Sequence, residues 1–76
     1  MATEKVWGRL RNNDAVTRTI RVEPEGEGTL FFVEVTDTSL VSPKYSWTLF
    51  GTLPDAEAGA KAQYEASLKE GFKPLS

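Results

Sequence analysis

The sequence predicts an α+β fold: a four-stranded antiparallel β-meander followed by one C-terminal α-helix packed on one face, in the order strand-strand-strand-strand-helix. Three observations carry this. Up to Phe50 the chain reads as short alternating or β-branched runs separated by turn-forming clusters. Residues 52–72, TLPDAEAGAKAQYEASLKEGF, have helical punctuation at both ends. With 76 residues the chain is a single small domain, so the sheet and the helix must cover each other.

The first strand is expected at residues 4–11. Val6, Gly8 and Leu10 alternate with Lys5, Trp7, Arg9 and Arg11, the period of a half-buried strand. Asn12-Asn13-Asp14 supplies a turn, because these residues bond their own backbone and tolerate left-handed conformations. The second strand, residues 15–22, is rich in β-branched residues, with Val16, Ile20 and Val22 on one side and Ala15, Thr17, Thr19 and Arg21 on the other. A three-residue loop would pair Leu10 with Val16, Gly8 with Arg18 and Val6 with Ile20. Arg18 is then the odd residue, a cation on the apolar side. It is expected to snorkel to the edge or to meet a carboxylate, a structural ion pair rather than a ligand contact.

Glu23 to Gly28 (EPEGEG) reads as a turn. The third strand, residues 29–36, starts apolar on both sides (Leu30, Phe31, Phe32), as a central strand does. Asp37 to Lys44 is a loop whose Leu40 and Val41 are expected to tuck under an end of the sheet. The fourth strand, residues 45–50, sets Tyr45, Trp47 and Leu49 against Ser46, Thr48 and Phe50.

The helix is expected over residues 53–70. Thr52 is placed to cap it, with Pro54 in the first turn, where a missing N–H costs nothing, and Asp55 able to answer the cap. Glu57 with Lys61 and Glu65 with Lys69 are favourable i,i+4 pairs. Gly71 supplies a left-handed C′ residue, Phe72 can fold back on Leu68, and Pro74 bars continuation. Leu53, Ala56, Ala60, Tyr64, Ser67 and Leu68 share a face. The expected core is Val6, Leu10, Val16, Ile20, Val22, Phe31, Val33, Val35, Leu49, Ala56, Ala60, Tyr64 and Leu68.

Composition removes several function classes. The chain has no Cys and no His, so thiol chemistry, the usual zinc sites and an imidazole base are excluded. No apolar run approaches a membrane span and no signal-peptide core is present, so a cytoplasmic protein without membrane contact is expected. EGEG is no phosphate cradle, since it lacks a lysine and its carboxylates repel phosphate. Glu23, Glu25 and Glu27 lack the spacing of a calcium loop. No nucleophile stands in a recognisable spacing with a base. The expectation is no enzyme, no cofactor and no metal.

The net charge of −2 hides an asymmetry. Lys5, Arg9, Arg11, Arg18 and Arg21 make the first hairpin basic, whereas Glu23, Glu25, Glu27, Glu34 and Asp37 make the next turn and strand acidic. Neighbouring strands can neutralise one another in this way. A single helix covers only one sheet face. The other is expected to carry Lys5, Trp7, Arg9, Arg11, Thr19 and Arg21 as partner-binding residues, joined by Phe32 or Trp47 according to register. The reading is a small binding module that meets a macromolecule on this face, foremost a protein partner or a second copy of itself, as in factors of phage or mobile-element type. Nucleic acid, tracked by the Trp and Arg side chains of the hairpin, is the alternative.

Two resemblances bear on that choice. Phe50-Gly51-Thr52-Leu53, Ala56 and Gly71-Phe72-Lys73-Pro74 resemble the last strand and helix of the WGR domain, a family associated with nucleic-acid ends. Trp7-Gly8-Arg9 spells that family's tripeptide, but in the family it stands shortly before the helix and here it stands in the first strand. The strand-strand-strand-helix order is also similar to AP2-type and integrase arm-binding domains, which read DNA with their sheet.

Overall fold

The structure, a computed structural model, describes residues 5–26, 30–41 and 43–75. Its elements are β1 (Lys5–Arg11), β2 (Thr17–Glu25), β3 (Leu30–Thr38), β4 (Lys44–Phe50), α1 (Leu53–Lys69) and a short β5 (Lys73–Pro74). All strand pairs are antiparallel, the sheet order is β4-β3-β2-β1-β5, and α1 packs on one face. The α+β meander with one C-terminal helix is therefore the fold. β5 is an addition to it. Pro74 does more than stop the helix: it lies opposite Leu10, with Lys73 opposite Arg11, and the Leu75 N–H donates to the Arg9 carbonyl at 2.9 Å. No helix of the described residues is long and apolar enough to cross a membrane.

The first hairpin corrects the expected register. Leu10 pairs with Arg18 and Arg11 with Thr17, so the connection spans residues 12–16. Asn12 holds it. Its Oδ1 accepts from the N–H groups of Asp14 (2.9 Å) and Val16 (3.0 Å), while its own N–H donates to the Val16 carbonyl. A slip of an even number of residues keeps every side chain on its expected face. A bulge does not. Val6 pairs with Arg21 and Gly8 with Ile20, leaving Trp7 as the extra residue. Trp7 is thereby turned toward the helix, where its ring lies 6.2 Å from that of Tyr64 and packs against the core. Val6 is turned to the other face and is exposed.

The second and third strands outrun their expected ends. Glu23, Pro24 and Glu25 belong to β2, paired with Phe32, Phe31 and Leu30. Pro24 lies past Val22, the last β2 residue paired with β1 among the described residues. Gly26 then turns the chain with a φ of 54°. The remainder of the expected turn, Glu27 and Gly28, lies outside the described residues. Leu40 and Val41 do not tuck under the sheet: they stand 106% and 91% exposed at the tip between β3 and β4.

Buried in the core are Leu10, Ile20, Val22, Val33, Ala56, Ala60 and Phe72, with Val16, Phe31, Val35, Phe50 and Tyr64 packed around them. Leu49 and Leu68, expected inside, are exposed. Leu49 pairs with Phe32 on the open face, and Phe50, opposite Phe31, takes the inner place. Phe72 occupies the core at the helix's C-terminal end that Leu68 was expected to fill. Two glycines let the helix approach closely. A Cβ on Gly8 would stand 2.6 Å from the Tyr64 ring, and one on Gly59 2.5 Å from the Phe50 ring.

Both helix ends follow from the sequence. The Thr52 hydroxyl accepts from the Asp55 N–H at 3.2 Å. At the other end Gly71 takes a φ of 103°, its N–H donates to Leu68, and the Phe72 N–H donates to Ser67, the paired bonds of a Schellman motif. This turn drops Phe72 beneath Arg18. Arg18 holds Asp37 through two bonds, Nε–Oδ1 at 2.7 Å and Nη2–Oδ2 at 2.9 Å. Its Nη1 reaches Ser67 Oγ (2.9 Å) and Glu70 Oε2 (2.8 Å), and its guanidinium stacks 4.2 Å from the centre of the Phe72 ring. The Asp37 and Glu70 hydrogen bonds hold the guanidinium above its ordinary proton affinity against the opposing effect of burial. Arg18 is thus the structural ion pair that the hairpin pattern anticipates.

Two outcomes follow. Trp7→Ala lowers stability by about 2–3 kcal/mol, because it empties the space beside Tyr64; an unchanged melting temperature in circular dichroism contradicts this packing. Asp37→Ala costs about 2–4 kcal/mol by leaving Arg18 short of its main partner, and the pair Arg18→Met with Asp37→Leu recovers part of the loss. Equal melting losses in the single and double variants contradict it.

Candidate functional site

The site is the sheet face that α1 leaves open. Opposite residues of an antiparallel pair share a face, so the ladders place its side chains in rows. One row runs Arg9, Thr19, Thr36, Tyr45, and the next Val6, Arg21, Glu34, Trp47. Beyond these lie Glu23, Phe32 and Leu49, then Glu25 and Leu30, while Arg11, Thr17 and Thr38 stand at the other end. Lys73 pairs with Arg11 and extends that end.

Two halves result. The β1–β2 side is cationic and hydroxylated, with Arg9 and Arg11 exposed and Thr17 and Thr19 half-buried. The β3–β4 side is aromatic and apolar. Tyr45 and Trp47 are 56% and 55% exposed and Leu49 44%. The Phe32 ring meets Trp47 edge-on at 6.3 Å. Glu25, Phe32, Tyr45 and Trp47 enclose a shallow depression of about 210 Å³.

Glu34 joins the halves. Its Oε1 lies 3.6 Å from Arg21 Nη1, and its Oε2 accepts from the Tyr45 hydroxyl at 2.8 Å. The hydrogen bond to Glu34 pushes the Tyr45 phenol above its ordinary value, with partial desolvation and the nearby carboxylate charges acting the same way.

Of the residues expected to bind a partner, Arg9, Arg11, Thr19 and Arg21 lie together on this face. Lys5 opens β1 opposite Val22, but its side chain lies outside the described residues. Trp7 is not on the face, since the bulge sends it to the helix side. The exposed tryptophan is Trp47, which joins Phe32, Tyr45 and Leu49. Glu34 was the available signal for them. A carboxylate in the middle of a strand favours the wetter face, which takes Leu30 and Phe32 outward with it, and pairing then carries Tyr45, Trp47 and Leu49 to the same side.

On the helix side a groove of about 570 Å³ runs between β4 and the C-terminal half of α1. Arg18 in its wall already donates to both Asp37 and Glu70. Among the described residues no group of three carboxylates is placed to hold a metal ion. Comparison with family models, with curated proteins and with solved structures found no match to this chain.

The Tyr45–Glu34 bond has a pH consequence. Only the protonated phenol donates, and a phenolate is repelled by the carboxylate. Tyr45 therefore ionises above 10.0 in the folded chain, and whatever stability the bond contributes is present below that pH and fades as pH rises through the higher folded value. Ultraviolet titration of the phenols should show Glu34→Gln moving this ionisation down toward 10.0; an identical titration in the variant contradicts the assignment.

Proposed function

We propose that this chain is a non-catalytic binding module that docks on a protein partner through its open sheet face. The observation that carries the reading is the exposed cluster of Tyr45, Trp47 and Leu49, backed by Phe32, on a face no element of the described chain covers. Aromatic anchors desolvated at the centre of a contact, with arginines at its rim, are the composition that dominates protein interfaces. Here Arg9 and Arg11 stand as that rim. The sequence has neither His nor Cys to serve as a nucleophile's base or as a thiol nucleophile.

Nucleic acid is the second reading, and Arg9, Arg11 and the Thr17, Thr19, Thr36 and Thr38 hydroxyls favour it. Against it, Glu23, Glu25 and Glu34 stand among the aromatic side chains and would repel the phosphates of any base stacked there.

The deciding experiment has two arms. In a Trp7→Phe background, where emission reports Trp47 alone, short single- and double-stranded oligonucleotides are titrated at low and moderate salt. The proposal expects no saturable change; a saturable change that weakens steeply with salt overturns it in favour of nucleic acid. In parallel, cell extract from the source is passed over immobilised wild type and a Tyr45→Ser, Trp47→Ser variant. A protein retained by the wild type and lost from the folded variant is expected, and equal retention on both places the contact elsewhere.

A further inference from the structure

β4 is the edge strand of the sheet, and its outward backbone row is covered by no described element. Edge strands are usually blunted by a proline, a bulge or inward charges, because an open edge templates pairing. β4 has no proline and no bulge, and its residues from Tyr45 to Phe50 carry no charge. Its seven residues, KYSWTLF, pair without a register shift to β3 and carry one charge, Lys44, at the end. From Lys44 to Leu49 every residue is exposed.

We infer that β4 pairs antiparallel with β4 of a second copy about a two-fold axis at Trp47, joining two sheets into one. The strand is self-complementary in that register. On the open face Trp47 meets Trp47 and Tyr45 meets Leu49 of the second copy, so the two aromatic clusters become one continuous patch. On the helix side Ser46 meets Thr48, both small, exposed and uncharged. Lys44 faces Phe50 rather than another lysine, so no like charges are opposed. Such an interface is isologous and closes on itself, so it yields a dimer and not a fibre. The pairing is argued from the β4 edge and its register and does not require a partner on the open face, although it sets Tyr45, Trp47 and Leu49 of the two copies side by side.

A strand-edge contact of this length is small, so an affinity of roughly micromolar strength is expected. Sedimentation equilibrium from micromolar to millimolar concentration should show a mass rising from 8.4 kDa to twice that value. Two charge variants then read the register. Ser46→Lys with Thr48→Lys sets lysine against lysine twice and should hold the chain monomeric. Ser46→Lys with Thr48→Glu sets lysine against glutamate twice and should dimerise at least as well as the wild type. Both positions are exposed, and a thermal melt of each variant confirms folding. A wild type that stays at 8.4 kDa throughout overturns the proposal, as do two folded variants with the same association constant.

Discussion

The structure depends on one cation. Arg18 sits on the apolar side of β2, where a lone charge is costly, and the surrounding chain is arranged to satisfy it. Asp37 reaches it from the far end of β3, Ser67 and Glu70 from the last turns of α1, and the Phe72 ring closes it from below. Because these groups come from separate elements, the bonds fix the position of the helix's C-terminal end over the sheet, where hydrophobic contact alone would let it slide. The Schellman turn at Gly71 is part of the same arrangement. It delivers Phe72 to the guanidinium and sends the chain on to pair with β1.

That docking explains which surfaces remain available. The helix is held close through small residues, with Ala56 and Ala60 buried and Gly59 against Phe50. It packs mainly on β2 and β3, so β4 projects past it with its edge open. Among the described residues no element covers the opposite face, where the aromatic residues of β3 and β4 and the arginines of β1 and β2 therefore meet water. In a chain this small, the arrangement that closes the core also leaves one sheet face and the β4 edge uncovered among the described residues.

Much of this is legible in the residues. The turn at Asn12, the unusual position of Arg18, the Thr52 cap and the Gly71 stop are local signals, and each acts in the structure as its chemistry implies. The arginine and threonine part of the open face follows equally from alternation. The aromatic part was obscured because Leu30, Phe31 and Phe32 give β3 no unambiguous polar side, and Glu34 resolves it only when the strand is aligned with both neighbours.

What the sequence by itself determined is the order of the four main strands and the helix, both helix ends, and the side of β2 that faces inward, since periodicity and capping act over a few residues. Tertiary structure decided the rest. The bulge at Trp7 exchanges the faces of Trp7 and Val6, and no residue in Val6-Trp7-Gly8 requires it. It becomes favourable only because Tyr64, far along the chain, offers Trp7 a packing surface and Gly8 leaves room for that ring. Likewise Phe50 and Phe72 displaced Leu49 and Leu68 from the core because the space beneath the helix is shaped by elements that meet only on folding. Competition between apolar side chains for one enclosed volume is a property of the assembled layers.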